Sequence, residues 1–347
     1  MTGSLDKMPI LFQLKTAHTS LIANHDPHAP TRMEHHASAP QYGPGTTVLA
    51  GRYLIEKKLA QGSFGAVVAV MDQVTGKPLA MKIAQNAKNM RLLQKEARLL
   101  QMLQQGPHIL PFHAFEQTDA TAFLLTEQLH GGDLMDLVKT KGTLSEIEAF
   151  ALVHQIGLAL AYAHSRIPPI LHRDVKPANI LSRSIPPHGL EWFLADWGLA
   201  DTWENPEESN VSGTFGYTAP EVWQQKRYPV SDIYSLGMTL FYALFGRPAY
   251  KGNSTEVARA QQAPQPVEIP SATPSSLRIL LQGMLAKEPT SRWSLVQVQN
   301  HVQNSVGQTK KGGICFNSKT IRKQAVHVVL VQTSRSHGSG AEGSAIE

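Results

Sequence analysis

The sequence predicts a bilobal α+β fold, in which a strand-rich lobe with one helix precedes a mostly helical lobe. Residues 51–84 form short β-branched and apolar runs broken by glycine, with the turn signal VTGKP between two of them. Residues 89–106 place Leu and Met at three- and four-residue spacing, which predicts an amphipathic helix that ends at a Gly-Pro pair. After one more strand, TAFLLTEQL, helical patterns follow, most clearly at 145–164, 231–246 and 276–286.

The two ends of the chain differ in composition from this central region. Residues 1–50 are rich in His, Pro, Ala and Thr without a sustained period, which predicts a disordered leader. Residues 306–347 predict a flexible basic tail, although the apolar run AVHVVLV could instead dock as a strand. Six Lys or Arg against two Glu give this tail +4 of the formal net charge of +5. A short basic tail is usually solvated, so nucleic acid is not an expected partner.

Composition also narrows the environment in which the protein is expected to work. The single cysteine, Cys315, excludes an internal disulfide framework and is compatible with a reducing, cytoplasmic compartment. No run of about 18 apolar residues is present, so no membrane span is expected. No spacing indicates a stable oligomer, and we expect a monomer.

A glycine-rich stretch, LAQGSFGAV at 59–67, lies between two predicted strands. Successive N–H groups of such a loop can face phosphate oxygens, although most glycine-rich hairpins bind nothing. In the next strand, LAMKIA, Lys82 stands among apolar residues, where an ammonium group requires an anionic partner. Glu96 is the candidate, because Leu93 and Leu100 share its side of the predicted helix. Alternatively, both charged side chains reach the surface.

A second polar cluster lies between apolar runs in ILHRDVKPANIL, residues 170–181. Asp174, Lys176 and Asn179 supply a carboxylate, a cation and an amide, and Asp196 follows another apolar run in FLADWG. Carboxylate and amide oxygens suit Mg²⁺, which shares its ligands with substrate phosphates. A phosphate cradle, a cation, metal ligands and a carboxylate that orients a hydroxyl are the parts that phosphoryl transfer requires.

Five motifs occur in the order and approximate spacing of the eukaryotic-type serine/threonine protein kinases, which the chain resembles over residues 53–303. They are the glycine-rich loop, the Lys82 strand, HRDVKPAN, DWG and GTFGYTAPE. The resemblance implies the bilobal protein-kinase fold, with an antiparallel-sheet N-lobe at about 53–129 and a C-lobe at about 130–303. It also implies transfer of the γ-phosphoryl group of ATP, with Mg²⁺, to serine or threonine of a protein substrate.

Two alternatives to an active protein kinase stay open. A pseudokinase scaffold or allosteric binding module would share the fold, but such proteins usually lack one of the residues that stand here as Lys82, Asp174 and Asp196. Small-molecule kinases of related fold would be expected to lack GTFGYTAPE, which receives the peptide. The lysine of RDVKPAN and Thr214 of GTFGY resemble serine/threonine kinases rather than tyrosine kinases.

The resemblance implies a role for each matching residue. Asp174 would be the catalytic base, Lys176 would neutralise the transferred group, and Asn179 and Asp196 would ligate Mg²⁺. Thr214 would contact Asp174 and Lys176. The implied structural residues are Glu221 paired with Arg292, and Asp232 beneath the catalytic loop. The implied ATP-binding residues are Leu59, Ala60, Gln61, Gly62, Ser63, Phe64, Gly65, Ala66, Val67, Ala80, Lys82, Glu96, the gatekeeper Thr126, Glu127 and Leu129 of the hinge, Asp133 and Leu181.

The sequence departs from the family pattern in several places. Ala60 replaces the first glycine of the loop, which would cost about 1 kcal/mol if that position needs a positive φ. In DWG, Trp197 stands where the family usually has Phe. It is predicted to line an apolar stack that includes His172. The run SRSIPPHGLEWF is longer than a tight hairpin needs and predicts a small surface insertion. Asp133 would meet either the ribose or a substrate cation.

Arg173 precedes the catalytic aspartate, and such kinases commonly need an anion from the activation segment to neutralise this arginine. Phosphorylation of Ser209 or Ser212 would add a charge of about −1.5 to −2 opposite Arg173. Alternatively, nearby glutamates supply a weaker constitutive anion, or they form a solvated acidic loop. These glutamates are Glu204, Glu207 and Glu208.

Overall fold

A computed structural model describes residues 42–62, 65–186, 189–203 and 212–309. In these ranges the chain forms the two predicted lobes, and the N-lobe is built on a six-stranded antiparallel sheet. The strands follow the order β1-β2-β3-β4-β6-β5 across it. They are β1 (Thr47–Val48), β2 (Tyr53–Gly62), β3 (Gly65–Asp72), β4 (Pro78–Ala84), β5 (Phe112–Gln117) and β6 (Ala122–Glu127).

The N-lobe sheet buries different side chains on its two faces, because successive residues of a strand point in opposite directions. One face forms an apolar cluster that includes Ile55, Val68, Met81 and Leu125. The single helix of this lobe, α1 (Ala87–Leu103), packs its buried residues into the main core together with Leu124. The predicted amphipathic helix is therefore confirmed.

Residues 42–50 belong to this lobe, although the sequence assigns them to the leader. Gly45 N donates to Ile55 O and Ile55 N to Thr46 O, which adds β1 to the edge of the sheet. The ring of Tyr42 meets Phe123 edge-on, with ring centroids 6.0 Å apart. Within the described part of the chain, the sheet therefore begins before residue 51. The rest of the predicted leader and the tail from residue 310 lie outside the described residues.

The C-lobe is mostly helical, and the helices that form its core consist largely of apolar residues. Its helices are α2 (Leu134–Lys141), α3 (Glu146–His164), α4 (Pro229–Phe245), α5 (Ser254–Gln262), α6 (Ser275–Met284) and α7 (Leu295–Thr309). The three clearest predicted helices correspond to α3, α4 and α6. The last helix, α7, ends beyond the predicted domain boundary at residue 303. No helix in the described ranges is both long and apolar enough to cross a bilayer.

Four short strands of the C-lobe carry the loops between α3 and α4. They are β7 (Ile170–Leu171), β8 (Ile180–Ile185), β9 (Gly189–Leu194) and β10 (Asp201–Thr202), and they pair as β7 with β10 and β8 with β9. In the run SRSIPPHGLEWF, the residues of β8 and β9 pair from Ser182↔Trp192 to Ile185↔Gly189, and Ser184 and Ile185 at the outer end are exposed. The predicted surface insertion stays a prediction, because residues 187 and 188 lie outside the described residues.

Candidate active site

Three charged side chains meet where the two lobes face each other. Lys82 Nζ lies 2.7 Å from Glu96 Oε2 and 3.0 Å from Asp196 Oδ1. Lys82 occupies the middle of β4 and Glu96 the buried side of α1, whereas Asp196 follows β9 in the C-lobe. One ammonium group therefore joins a carboxylate of the N-lobe to a carboxylate of the C-lobe.

The electrostatics of this triad keep Lys82 and Asp196 charged. Burial opposes the charge on Lys82, but the carboxylates of Glu96 and Asp196 outweigh it and raise the pKa of Lys82. Burial likewise disfavours the carboxylate of Asp196, and the Lys82 ammonium overcomes this and lowers the pKa of Asp196. Such an ammonium group can bind phosphate oxygens in its charged form.

Asp174 is the centre of a second group, on the loop after β7. Lys176 Nζ lies 2.7 Å from Asp174 Oδ2, and Thr214 Oγ1 donates to Asp174 Oδ1 at 2.7 Å. Lys176 Nζ also donates to Thr214 Oγ1 at 2.8 Å. Asn179 Nδ2 donates to the backbone oxygen of Asp174 at 2.9 Å and to Oδ2 at 3.1 Å. These bonds fix the orientation of the Asp174 carboxylate.

Asp232, buried in α4, holds the catalytic loop from below. Its carboxylate accepts from His172 N and Arg173 N, each at 2.9 Å. His164 Nε2 lies 2.9 Å from the same carboxylate, and no sequence motif pointed to this histidine. Burial disfavours the carboxylate form of Asp232, but the contacts with His164 and the backbone keep its pKa below the ordinary value. Arg173 has a φ of +70°, a conformation that costs on the order of 1–2 kcal/mol and that these bonds stabilise.

The glycine-rich loop is a hairpin between β2 and β3, whose last described pair is Gly62↔Gly65. Gly65 has a φ of +144°, and a Cβ there would lie 1.8 Å from Ile83 O, so only glycine fits. Ala60 lies in β2 opposite Val67 and has no positive φ, so the strain considered for this alanine does not arise. Ser63 and Phe64 lie outside the described residues.

The hinge joins β6 to α2 along the edge of the cleft. Thr126 is buried and lies opposite Ala80 of β4. Glu127 pairs its carboxylate with Arg183 Nη1 at 2.7 Å, which turns this side chain toward β8. The Asp133 carboxylate caps α2 by accepting from Asp136 N at 2.8 Å. This capping role differs from both predicted roles, which were contact with the ribose and contact with a substrate cation. A bridge between Asp133 and Leu181 connects the hinge region to the floor of the cleft.

Asn179 and Asp196 lie on adjacent segments, because Ala195 N donates to Asn179 O at 2.9 Å. The Asn179 amide donates through Nδ2 to Asp174, which leaves its oxygen as the group available to a cation. Amide and carboxylate oxygens are hard ligands and fit Mg²⁺. The described residues contain no group of three or more His, Cys, Asp or Glu that could hold a metal. Asn179 and Asp196 supply two oxygen ligands and so suit a cation that takes its other ligands from phosphates and water.

Trp197 is fully buried beneath the catalytic loop. Its ring meets His172 edge-on, with ring centroids 4.7 Å apart, and its Nε1 donates to Leu194 O at 3.4 Å. His172 in turn contacts Ala195 O through Nε2 at 3.0 Å. The indole thus lies inside the stack that the sequence predicts, while Asp196 stays beside Lys82.

An anion that sequence reasoning missed lies beside Arg173. Asp201 Oδ2 is 3.3 Å from Arg173 Nη1, and Asp201 Oδ1 is 3.3 Å from Lys95 Nζ of α1. Arg173 Nη2 also donates to Ser212 Oγ at 2.5 Å. Ser209 and the three glutamates of the activation segment lie outside the described residues. Within the described part of the chain, Asp201 is the carboxylate that pairs with Arg173.

Glu221 and Arg292 form a bidentate ion pair in the C-lobe core. Arg292 Nη1 lies 2.6 Å from Glu221 Oε1, and Arg292 Nη2 lies 3.0 Å from Oε2. Ser231 Oγ donates to the same carboxylate at 2.6 Å. The pair joins the end of GTFGYTAPE to the turn before α7. Both residues lie far in sequence from the catalytic loop.

Comparison with known proteins supports this geometry. A family model described as a protein kinase domain matches residues 53–303. The chain is 29% identical to serine/threonine-protein kinase SIK2 of Gallus gallus over 270 residues, 76% of this chain and 33% of that protein. It is 28% identical to the serine/threonine-protein kinase SIK3 homolog of Danio rerio over 255 residues, 72% of this chain and 21% of that protein. The chain thus matches a third or less of the length of these relatives.

Proposed function

The chain belongs to the protein kinase family, and from that premise we propose that it is an ATP-dependent serine/threonine protein kinase. The observation that carries the proposal is the simultaneous assembly of two groups. Lys82 is paired with both Glu96 and Asp196, and Asp174 is oriented by Lys176. A pseudokinase scaffold is the alternative, and it would not require both groups to be in place.

Each residue of the proposed site has a defined task in this reaction. Lys82 would hold the phosphates of ATP, and Asp174 would orient the acceptor hydroxyl and receive its proton. Lys176 would offset the charge of the transferred phosphoryl group. A bound Mg²⁺, held by Asn179 and Asp196, would neutralise charge on the phosphate oxygens. The other residues of the site shape it and exclude water.

Serine and threonine are the proposed acceptors. Thr214 connects Lys176 to Asp174 at hydrogen-bond distances of 2.8 and 2.7 Å, so GTFGYTAPE and the catalytic loop share one hydrogen-bond network. The relatives named above are serine/threonine-protein kinases. We further propose that residues 53–303 act on protein substrates as a monomer in a reducing compartment such as the cytoplasm.

The test is phosphate transfer from γ-labelled ATP to serine- and threonine-containing peptides, with and without Mg²⁺. We expect label on serine or threonine and none on tyrosine, and we expect EDTA to abolish transfer. Binding of ATP without transfer to any peptide, even after incubation with cell lysate, would instead favour the scaffold.

Asp201 is the proposed resident counter-ion of Arg173, so that phosphorylation of the activation segment is not required for basal activity. Asp201 is 9% exposed and connects Arg173 to Lys95 of α1, which also carries Glu96. The substitution D201N removes this charge and keeps the size of the side chain. We expect kcat of phosphatase-treated enzyme to fall by about tenfold, the loss of one charge-assisted bond of about 1.4 kcal/mol.

Two variants separate this explanation from the others. S209A should leave the activity of phosphatase-treated protein within about twofold of wild type, and the triple replacement of Glu204, Glu207 and Glu208 by Gln should do the same. Ser212 is left unchanged, because its Oγ accepts a hydrogen bond from Arg173 Nη2. If phosphatase treatment alone abolishes wild-type activity, phosphorylation supplies the required anion. If the triple replacement lowers activity as much as D201N, the acidic segment shares this role.

A further inference from the structure

Residues 213–218, which we call the acceptor loop, form a hydrogen-bonded turn. Its first residues lie beside the catalytic aspartate. Tyr217 N and Thr218 N donate to Thr214 O at 3.1 and 3.2 Å, and Thr218 Oγ1 donates to the same oxygen at 3.0 Å. Thr214 Oγ1 then contacts Asp174. The position of the Thr214 hydroxyl therefore depends on the shape of this turn.

Gln261, from α5, holds the far end of the acceptor loop. Its side chain is 0% exposed. Its Nε2 donates to Thr218 O at 2.8 Å, and its Oε1 accepts from Gly216 N at 3.4 Å. A buried amide that engages two backbone groups of one loop restricts that loop, because release of either bond would leave a polar group without a partner.

Lys287 fixes the end of α5 from which Gln261 extends. Its Nζ donates to Gln261 O at 2.8 Å, to Ala260 O at 3.2 Å and to Tyr250 Oη at 2.8 Å. A cation at the carboxyl end of a helix is also favoured by the helix dipole. Contacts thus run without interruption from Lys287 through Gln261 and the acceptor loop to Asp174.

We propose that Gln261 is a positioning residue for the protein substrate, which acts by holding the acceptor loop in its productive shape. The proposal rests on the proposed kinase function and names a residue that no motif of the sequence indicated. Both hydrogen bonds of the Gln261 side chain are with the acceptor loop and not with the nucleotide site. Its loss should therefore affect the peptide and leave ATP binding unchanged.

The test compares Q261M with the matched control Q262M. Methionine keeps the unbranched shape of glutamine but loses both bonds to the acceptor loop. Gln262 is exposed and bonds only Ala258 O of its own helix, at 3.1 Å. We expect Q261M to raise KM for a peptide substrate about fivefold, the effect of one ordinary hydrogen bond, with KM for ATP unchanged. Q262M should leave both constants unchanged.

Hydrogen exchange supplies a readout that does not depend on activity. The amide of Gly216, which loses its acceptor Gln261 Oε1, should exchange faster in Q261M than in Q262M and wild type. The amides of Tyr217 and Thr218 should also exchange faster, because the loosened loop opens their bonds to Thr214 O more often. If Q261M does not fold, K287M tests the same route, because it releases α5 without touching the acceptor loop, and it should also raise the peptide KM.

Two outcomes would overturn the inference. One is a folded Q261M with wild-type peptide KM and wild-type exchange at Tyr217 and Thr218, which would make Gln261 a packing residue only. The other is an equal rise in KM for peptide and for ATP, which would indicate a general loss of structure. A wild-type protein that transfers no phosphate would refute the proposed function instead, and the exchange experiment would still decide the role of Gln261.

Discussion

The substitution D174N is expected to lower kcat for peptide phosphorylation by about 10³-fold, within the ~10²–10⁴-fold range of general acid–base catalysis. Asparagine keeps the size of Asp174 and can still accept from Thr214, but its amide cannot take the proton of the acceptor hydroxyl. It also removes the charge opposite Lys176 Nζ, 2.7 Å away. KM for ATP should change little, because the Lys82 group is separate from this one.

Steady-state kinetics with peptide and ATP varied separately would measure this effect. The exposed residue Asp119, in the turn between β5 and β6, supplies the control D119N, which should behave as wild type. Thermal unfolding with and without Mg²⁺ and ATP would show that D174N still binds nucleotide, because a ligand of the folded state raises its stability. A kcat within tenfold of wild type would mean that Asp174 is not the base.

Residues that stand close together in the sequence could be assigned to the site before the structure was known. Asp174, Lys176 and Asn179 lie within one loop, so their proximity follows from the chain itself. The inward direction of Glu96 followed from the spacing of Leu93 and Leu100, because helical periodicity defines which side of α1 is buried. For these residues, the local sequence pattern was enough to predict their place in the site.

Contacts between distant segments were not predictable in the same way. Asp201 lies in the two-residue strand β10, which is too short to show a period, and its partner Arg173 is 28 positions away. The bond from Gln261 to Thr218 spans 43 positions. Nothing in local spacing distinguishes Gln261 from its exposed neighbour Gln262. Only the tertiary fold separates the two.

Two elements of secondary structure give only weak signals in the sequence. The last helix, α7, is rich in Gln and Asn, and its apolar stripe is thin because one buried position is the polar Gln299. Gln299 satisfies its amide by donating from Nε2 to His154 O at 3.0 Å. In SRSIPPHGLEWF, the Pro-Pro pair resembled part of a longer loop, whereas most of the run lies in β8 and β9.

Replacement of Arg292 by methionine is expected to lower the free energy of unfolding by about 3–5 kcal/mol, the range for a buried ion pair that loses one partner. Arg292 and Glu221 are 0% and 5% exposed in their side chains. All five N–H donors of a guanidinium group are accounted for here, because Arg292 also donates to three backbone oxygens. These are Ala286 O at 2.9 Å, Val230 O at 3.0 Å and Lys287 O at 3.0 Å.

Most of this loss should arise from the carboxylate that stays behind. In R292M, Glu221 keeps its bond from Ser231 but has lost the cation that compensated its burial. The double variant E221Q/R292M removes that orphan charge and should recover part of the stability, because an uncharged buried site costs less than an unpaired ion. Urea unfolding of the two variants and wild type would measure the difference.

The exposed Arg259 of α5 provides the control R259M, which should change stability by no more than about 0.5 kcal/mol. If the double variant is less stable than R292M, the unpaired carboxylate is not the cause, and the lost backbone bonds of Arg292 dominate. A loss in R292M no larger than in R259M would show that the pair adds nothing to stability. Because the five hydrogen bonds of Arg292 go to Glu221 and to backbone oxygens outside the catalytic loop, the folded fraction of R292M should retain wild-type KM for ATP.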